Sequence, residues 1–126
     1  MQRRTRQREA ILAALQRTDR PLSPREILVE AARTVPQLGI ATVYRQVTRL
    51  IEAGELREVA LPGEPSRYEL AGKGHHHHFR CRRCERVYEL DRCPGNFRTL
   101  APAGFLVEDH DLLLTGLCPG CRSVQA

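Results

Sequence analysis

Gly39-Ile40-Ala41-Thr42-Val43-Tyr44-Arg45-Gln46-Val47-Thr48-Arg49-Leu50-Ile51-Glu52-Ala53-Gly54 is the stretch on which the reading of the fold turns. Val43, Val47, Leu50 and Ile51 recur at i, i+4, i+7 and i+8, which predicts a helix with one buried face. Gly54 supplies the left-handed stop. The opposite face carries Thr42, Arg45, Gln46 and Arg49, with Tyr44 beside them. Their donors suit phosphates and base edges, although a polar helix face taken alone is more often a solvated surface.

Upstream, Ser23-Pro24-Arg25-Glu26 places Ser at the N-cap, Pro at N1 and Glu at N3, a capping box. Ile27, Leu28, Ala31 and Ala32 continue it as a second helix, and Val35-Pro36 ends it, because the residue before proline disfavours the α region. A first helix carries Ile11, Leu12, Ala14 and Leu15. Arg3, Arg4, Arg6 and Arg8 crowd its start, unopposed until Glu9, although cations are unfavourable to the dipole at that end. Downstream, Leu56–Leu61 and Arg67–Leu70 flank the turn-rich Pro62-Gly63-Glu64-Pro65-Ser66 and predict a β-hairpin. Three helices and a hairpin make a winged helix-turn-helix, with the third helix as recognition helix and the hairpin as wing. In that context the polar face reads as a DNA surface, with Thr42, Tyr44, Arg45 and Arg49 as its contacts.

The remainder has a different composition. Ala71-Gly72-Lys73-Gly74 reads as a hinge between a DNA-binding domain over 1–70 and a metal-binding dimerisation domain over 75–126. All five His and all five Cys lie beyond residue 74. Strand-like pieces at Phe79–Cys81, Val87–Leu90 and Phe105–Leu114 surround a short polar segment, Asn96–Ala101. The expected class is therefore α+β, a winged helix followed by a small α/β lobe that dimerises by strand pairing.

The chain has 126 residues, 41% of them hydrophobic and 28% charged, which excludes wholesale disorder and a collagen-like fibre. Two lobes of this size have marginal cores, so metal or oligomerisation is an expected helper. The net charge is +5, and Lys73 is the sole lysine among 20 basic residues. Arginine suits planar recognition of phosphate and guanine. No apolar run approaches the ~20 residues that cross a bilayer. The paired arginines of Met1–Arg8 precede no apolar stretch, so no export signal is read. The expectation is a cytoplasmic protein with reduced thiols and no membrane partner, and an odd cysteine count argues against a closed disulfide framework.

Cys81-Arg82-Arg83-Cys84 and Cys118-Pro119-Gly120-Cys121 are two C-x2-C knuckles with 33 residues between them. Each presents two thiolates in a tight turn, and together they complete a tetrahedral all-sulfur shell suited to structural zinc. His75-His76-His77-His78 precedes the first knuckle. In an extended strand His76 and His78 fall on one face and His75 and His77 on the other, so one run can feed two metal sites. Glu69 is placed to join His76 and His78, with Glu89 and Glu64 as weaker candidates. Cys93 and His110 are candidates for the other face. A zinc enzyme needs an open coordination position and a general base, and the paired knuckles offer neither, so catalysis is not expected.

Thr5-x-Gln7-Arg8-x-x-Ile11-Leu12, Ala41-Thr42-Val43-Tyr44-Arg45 with Leu50 and Gly54, the histidine run, Cys81-x2-Cys84, Gly104-Phe105, His110, Gly116 and Cys118-x2-Cys121 span almost the whole chain in order. In this it resembles the Fur superfamily of metal-dependent transcriptional regulators. The resemblance implies a homodimeric repressor whose winged helices read a palindromic, A/T-rich operator in double-stranded DNA. Tyr44 and Arg45 would then approach bases and phosphate in the major groove, and Arg3 would enter the minor groove. Glu69, His76 and His78 would be sensing ligands, and His75, His77 and His110 would serve a further site. Iron- and peroxide-sensing members usually contribute a His just before the second helix, where this chain has Pro21. The further site usually takes a Glu, where counting gives Cys93 or Asn96; a thiolate suits a borderline-soft metal and an amide does not. Both departures point to the zinc-uptake-regulator branch, with zinc as structural and regulatory metal controlling zinc-uptake genes. An iron, manganese or peroxide sensor of the same superfamily is the alternative, and a metal store that binds no DNA is another.

Overall fold

A computed structural model describes residues 2–124. The chain divides into two units, Met1–Lys73 and Gly74–Ala126.

The first unit runs α1 (Gln2–Thr18), α2 (Pro24–Ala31), α3 (Ile40–Glu52), β1 (Leu56–Leu61) and β2 (Glu64–Leu70). Helical periodicity turns Ala10, Ile11, Ala14 and Leu15 inward from α1. They meet Ile27 and Ala31 of α2, Val43, Val47 and Leu50 of α3, and Leu56 of β1 in one core. The capping box of α2 is present: Ser23 Oγ accepts from the Glu26 N–H at 3.1 Å, and Glu26 Oε1 accepts from the Ser23 N–H at 2.9 Å. Gly54, at φ 77°, closes α3, with its N–H on Ile51 O and the Glu55 N–H on Leu50 O, the Schellman pattern.

Several sequence expectations change. Helix α2 ends at Ala31 rather than Val35, because the Arg33 N–H turns to Glu30 O and Thr34 Oγ1 caps Ala31 O, tightening the last turn before Pro36 comes into play. On α3, Gln46 is buried at 3% exposure and Ile51 stands at 36%, so the inward stripe is Val43, Gln46, Val47 and Leu50. The stripe is thus rotated by a fraction of a turn toward the i+3 position. The turn of the wing is only Pro62-Gly63, with Gly63 at φ 72°, and β2 begins at Glu64 rather than Arg67. Pro65 lies inside β2, on a two-stranded ribbon whose outer edge needs no N–H there. Leu22, fully buried, exchanges backbone hydrogen bonds with Tyr68 at 2.9 and 2.8 Å, tying the α1–α2 connection to the wing. Arg8 forms an ion pair with Glu55, so the α1 arginines are not all unopposed.

In the second unit β3 (His77–Cys81) is the centre of a three-stranded sheet of order β4–β3–β5. It pairs antiparallel with β4 (Val87–Leu90) and parallel with β5 (Leu113–Gly116). A 3-10 helix, Phe97–Leu100, is capped by Asn96, whose Oδ1 accepts from the Arg98 N–H at 3.0 Å; α4 (Pro119–Val124) follows the sheet. The expected strand over Phe105–Leu114 is strand only from Leu113. Phe105 and Leu106 stand 70% and 82% exposed, so burial does not hold the start of that segment in a strand. Among the described residues only His77, Cys81, Val87 and Cys118 of this unit are buried. A single aliphatic side chain cannot supply a core, so something other than apolar burial must hold the unit together.

Candidate nucleic-acid interface and metal centres

The first unit presents a cleft of about 400 Å³ where the start of α1 meets α3. Arg3, Arg4, Thr42, Arg45 and Arg49 line it, and no acidic side chain does. Arg45 Nη2 donates to Thr42 Oγ1 at 2.9 Å, one helical turn away, which orients the guanidinium before any ligand arrives. Tyr44, 54% exposed, stands beside them. Arg3 is part of a helix and lines this same cleft, so it is not an extended arm aimed elsewhere. Gln46 also reaches the cleft wall although it is largely buried. The charge crowding that opposes the α1 dipole thus forms an anion-attracting surface next to α3.

In the second unit two groups of ligand atoms converge. The sulfurs of Cys81, Cys84, Cys118 and Cys121 all lie within 4.8 Å of one another. Cys81 ends β3, and the first knuckle returns through the Glu85 N–H on Cys81 O (2.9 Å) and the Arg82 N–H on Gly116 O (2.8 Å). Cys118 and Cys121 bracket the start of α4, where the Arg122 N–H reaches Cys118 O at 2.9 Å. Backbone N–H donors from Cys118 and Cys84 hold the Cys81 thiol down to about 5, and a backbone N–H from Cys121 likewise lowers Cys118. Burial beside three other sulfurs pushes Cys121 up to about 12. Thiolate-ready and proton-retaining sulfurs in one cage are what a multivalent cation resolves, since it requires all four deprotonated.

The second group is His75, His77, Cys93 and His110, again with ligand atoms within 4.8 Å of one another. His75 Nε2 stands 3.1 Å and Cys93 Sγ 3.2 Å from His110 Nε2. His77 is 1% exposed, and neither of its ring nitrogens has a hydrogen-bond partner. Burial, reinforced by the neighbouring His75 and His110, lowers its pKa and keeps it neutral. A buried, neutral, unpartnered imidazole facing three other ligand atoms fits a cation, because leaving it unsatisfied is costly. Cys93 and not Asn96 joins this group; the Asn96 amide caps the 3-10 helix.

The other predicted ligands are distributed between the units. Glu69 is buried on β2 of the first unit, where Arg57 Nε donates to it at 3.1 Å and Arg57 Nη2 forms a shorter bond. His76 and His78 belong to the second unit, their rings 4.9 Å apart, and His76 Nδ1 donates to Gly74 O at 2.6 Å, which presents Nε2 for ligation. Glu89 is the cross-strand partner of His78 and joins neither converging group of this unit. Glu64 is engaged by Arg67 at 3.5 Å.

An arginine-lined surface and clusters of side chains able to hold a metal ion, together on one chain, are the features expected of one class, the metal-responsive transcriptional regulators. The chain belongs to the ferric uptake regulator family, whose sequence model matches residues 2–115; its members are transcription regulators and not enzymes. It is 34% identical over 128 residues to the ferric uptake regulation protein of Campylobacter jejuni, spanning 97% of this chain and 81% of that protein. It superposes on a zinc-bound manganese uptake regulator with a TM-score of 0.78 at 28% identity, covering 89% of this chain and 87% of the other. A zinc uptake regulator in complex with zinc and DNA gives 0.57 at 26% identity, over 94% of this chain and 83% of the other. The fold corresponds to an N-terminal DNA-binding domain followed by a C-terminal dimerisation domain.

Proposed function

We propose that the chain is a zinc-responsive repressor of zinc-uptake genes that acts as a homodimer on a palindromic, A/T-rich operator. The observation that carries the choice of zinc is the thiol of Cys93 among three imidazoles, a borderline-soft donor set. Pro21, where iron and peroxide sensors offer a histidine, supports the same metal. The cysteine cage, Cys81, Cys84, Cys118 and Cys121, holds structural zinc and stands in for the missing apolar core.

Glu69 from the wing, with His76 and His78 from the second unit and Glu89 behind His78, holds the regulatory cation. Bound together, these side chains remove freedom from residues 71–74 and fix the two recognition helices at a spacing of about one DNA turn, ~34–36 Å. A coupling of only ~1–3 kcal/mol changes operator occupancy ~5–150-fold. Dimerisation is supported by Leu100, Phe105, Leu106 and Leu114, apolar side chains that a lone chain leaves in water. Tyr44 and Arg45 read bases and phosphate, and Thr42, Arg49 and Arg3 support them.

A gel-shift titration with zinc, iron(II) and manganese, for wild type and His76→Ala, tests the reading. Zinc should promote operator binding by wild type, and His76→Ala should lose that response while keeping its cage zinc. Operator affinity that is indifferent to emptying the hinge ligands overturns it. A second reading, a manganese or iron sensor, is favoured by the superposition on the manganese uptake regulator; a response to those metals and not to zinc would select it.

A further inference from the structure

We infer that Arg57 is a built-in competitor of the regulatory cation. It holds the buried Glu69 carboxylate while that cation is absent and gives it up when the cation binds, so it sets how much zinc the protein needs before it responds. This rests on the reading of Glu69 as a ligand of the regulatory cation, and it adds a residue that is not itself a ligand.

The placement follows from the register of the wing. Arg57 on β1 lies directly opposite Glu69 on β2, and opposite residues of an antiparallel pair project to the same face. Their burial is unequal. The Glu69 side chain has no exposed surface, whereas the Arg57 side chain is 47% exposed. Arg57 Nε donates to Glu69 Oε2 at 3.1 Å, and Arg57 Nη2 donates to the same oxygen. A carboxylate taken wholly out of water needs a countercharge, because an unpaired buried charge is strongly destabilising. Arg57 supplies it whenever no metal ion does. An arginine does so at any physiological pH, since its guanidinium keeps its proton.

The same inequality permits exchange. Nearly half of the Arg57 side chain already faces water, so the guanidinium can swing into solvent without becoming an unpaired buried charge. Glu69 is fixed by the pairing of β2 and stays where it is. When a divalent cation arrives, the carboxylate exchanges one positive partner for another. What the site gains from Glu69 is then the difference between the two partners, not the whole attraction of cation for carboxylate. Arg57 therefore weakens the site and keeps its zinc exchangeable. On release the guanidinium returns, and the departing cation leaves no bare carboxylate behind. An arginine that merely oriented a ligand would act in the opposite sense, because its loss would loosen the cation.

The test uses the full-length protein with its cage zinc retained, a chromophoric zinc indicator as competitor, and urea denaturation of the helical signal with and without added zinc. Arg57→Met keeps a long side chain and removes its charge. It should bind the exchangeable zinc about tenfold more tightly than wild type, the equivalent of one hydrogen bond to a charged group. It should also unfold at lower urea when that zinc is withheld, and adding zinc should close the gap, because Arg57 holds Glu69 only in the zinc-free chain. Arg57→Lys, which keeps the charge but loses the planar fork, should tighten zinc by less, and it remains readable if Arg57→Met does not fold. On a Glu69→Gln background, Arg57→Met should change zinc affinity by no more than about twofold. Affinity in Arg57→Met equal to or weaker than wild type, or a urea gap that persists with zinc, overturns the inference. If Glu69→Gln alone leaves zinc affinity unchanged, the reading of Glu69 as a ligand falls and the inference falls with it. A Glu69→Gln protein that loses affinity, beside an Arg57→Met protein that gains none, overturns the inference alone.

Discussion

The backbone N–H of Cys118 donates to the sulfur of Cys81 at 3.5 Å, across 37 positions of the chain. This bond joins the end of β3 to the start of α4, and it is the leading reason that the Cys81 thiol sits near 5. The two knuckles therefore form a preorganised anion before metal arrives, while Cys121 retains its proton.

From that relationship follows the response to losing the cage metal. Cys81→Ser, or strong chelation, should unfold the second unit outright, since Val87 is its one fully buried aliphatic residue among those described. Zinc content should fall by at least one equivalent, and the sheet component of the far-ultraviolet dichroism should fall to what the β1–β2 hairpin of the first unit supplies. The helices of the first unit, with their own core, should persist. A second unit that keeps a cooperative transition without metal would contradict this.

Acid should weaken the second unit through His77. Its folded pKa lies below the ordinary 6.5 because burial disfavours the imidazolium. Above 6.5 both folded and unfolded states leave it neutral, and there is no penalty. As pH falls below that value the unfolded chain takes up a proton that the folded unit resists, so stability declines. Ligand protonation acts in the same direction. Urea midpoints measured at about pH 7.5 and pH 5.5 should separate for wild type, and His77→Phe should narrow the gap.

On DNA, two kinds of arginine should behave differently. Tyr44→Ala and Arg45→Ala should each cost about 1–3 kcal/mol on the specific operator and relax base preference. Arg4→Ala and Arg49→Ala, which remove charges from the cleft, should weaken all duplexes alike and lower the salt slope by about 1 each. Thr42→Ala should act more weakly than Arg45→Ala, because it frees the Arg45 guanidinium without removing it. Fluorescence anisotropy at a series of salt concentrations distinguishes these outcomes; an unchanged slope for Arg4→Ala would remove α1 from the interface.

Stability of the first unit should depend on the cap of α2. Ser23→Ala removes the acceptor for the Glu26 N–H and should cost about 1 kcal/mol, read as a lower thermal midpoint. Glu26→Ala should cost more, since Glu26 also accepts from Arg20 Nη1 at 2.9 Å while its other oxygen caps the Ser23 N–H. Equal midpoints for the two variants would show that the Arg20 pair contributes nothing.

Local chemistry is legible in the residues alone. Ser23 and Glu26 three residues apart specify a helix start, Gly54 specifies a stop, and each C-x2-C pair specifies a turn that presents two sulfurs, because all of these contacts close within one turn of backbone. The alternation of the histidine run likewise separates His75 and His77 from His76 and His78 as soon as the strand is extended. Whatever depends on a distant neighbour is visible only in the folded chain. The packing of α1 and α2 against α3 turned Gln46 inward and Ile51 outward, a rotation too small for periodicity to register. Leu22 found Tyr68, and Arg8 found Glu55, through contacts made 46 and 47 positions apart. The path of residues 91–112, which carries no regular repeat, brought Cys93 and His110 to His75 and His77. Such a meeting depends on the route of a loop through space, and spacing along the chain does not encode that route.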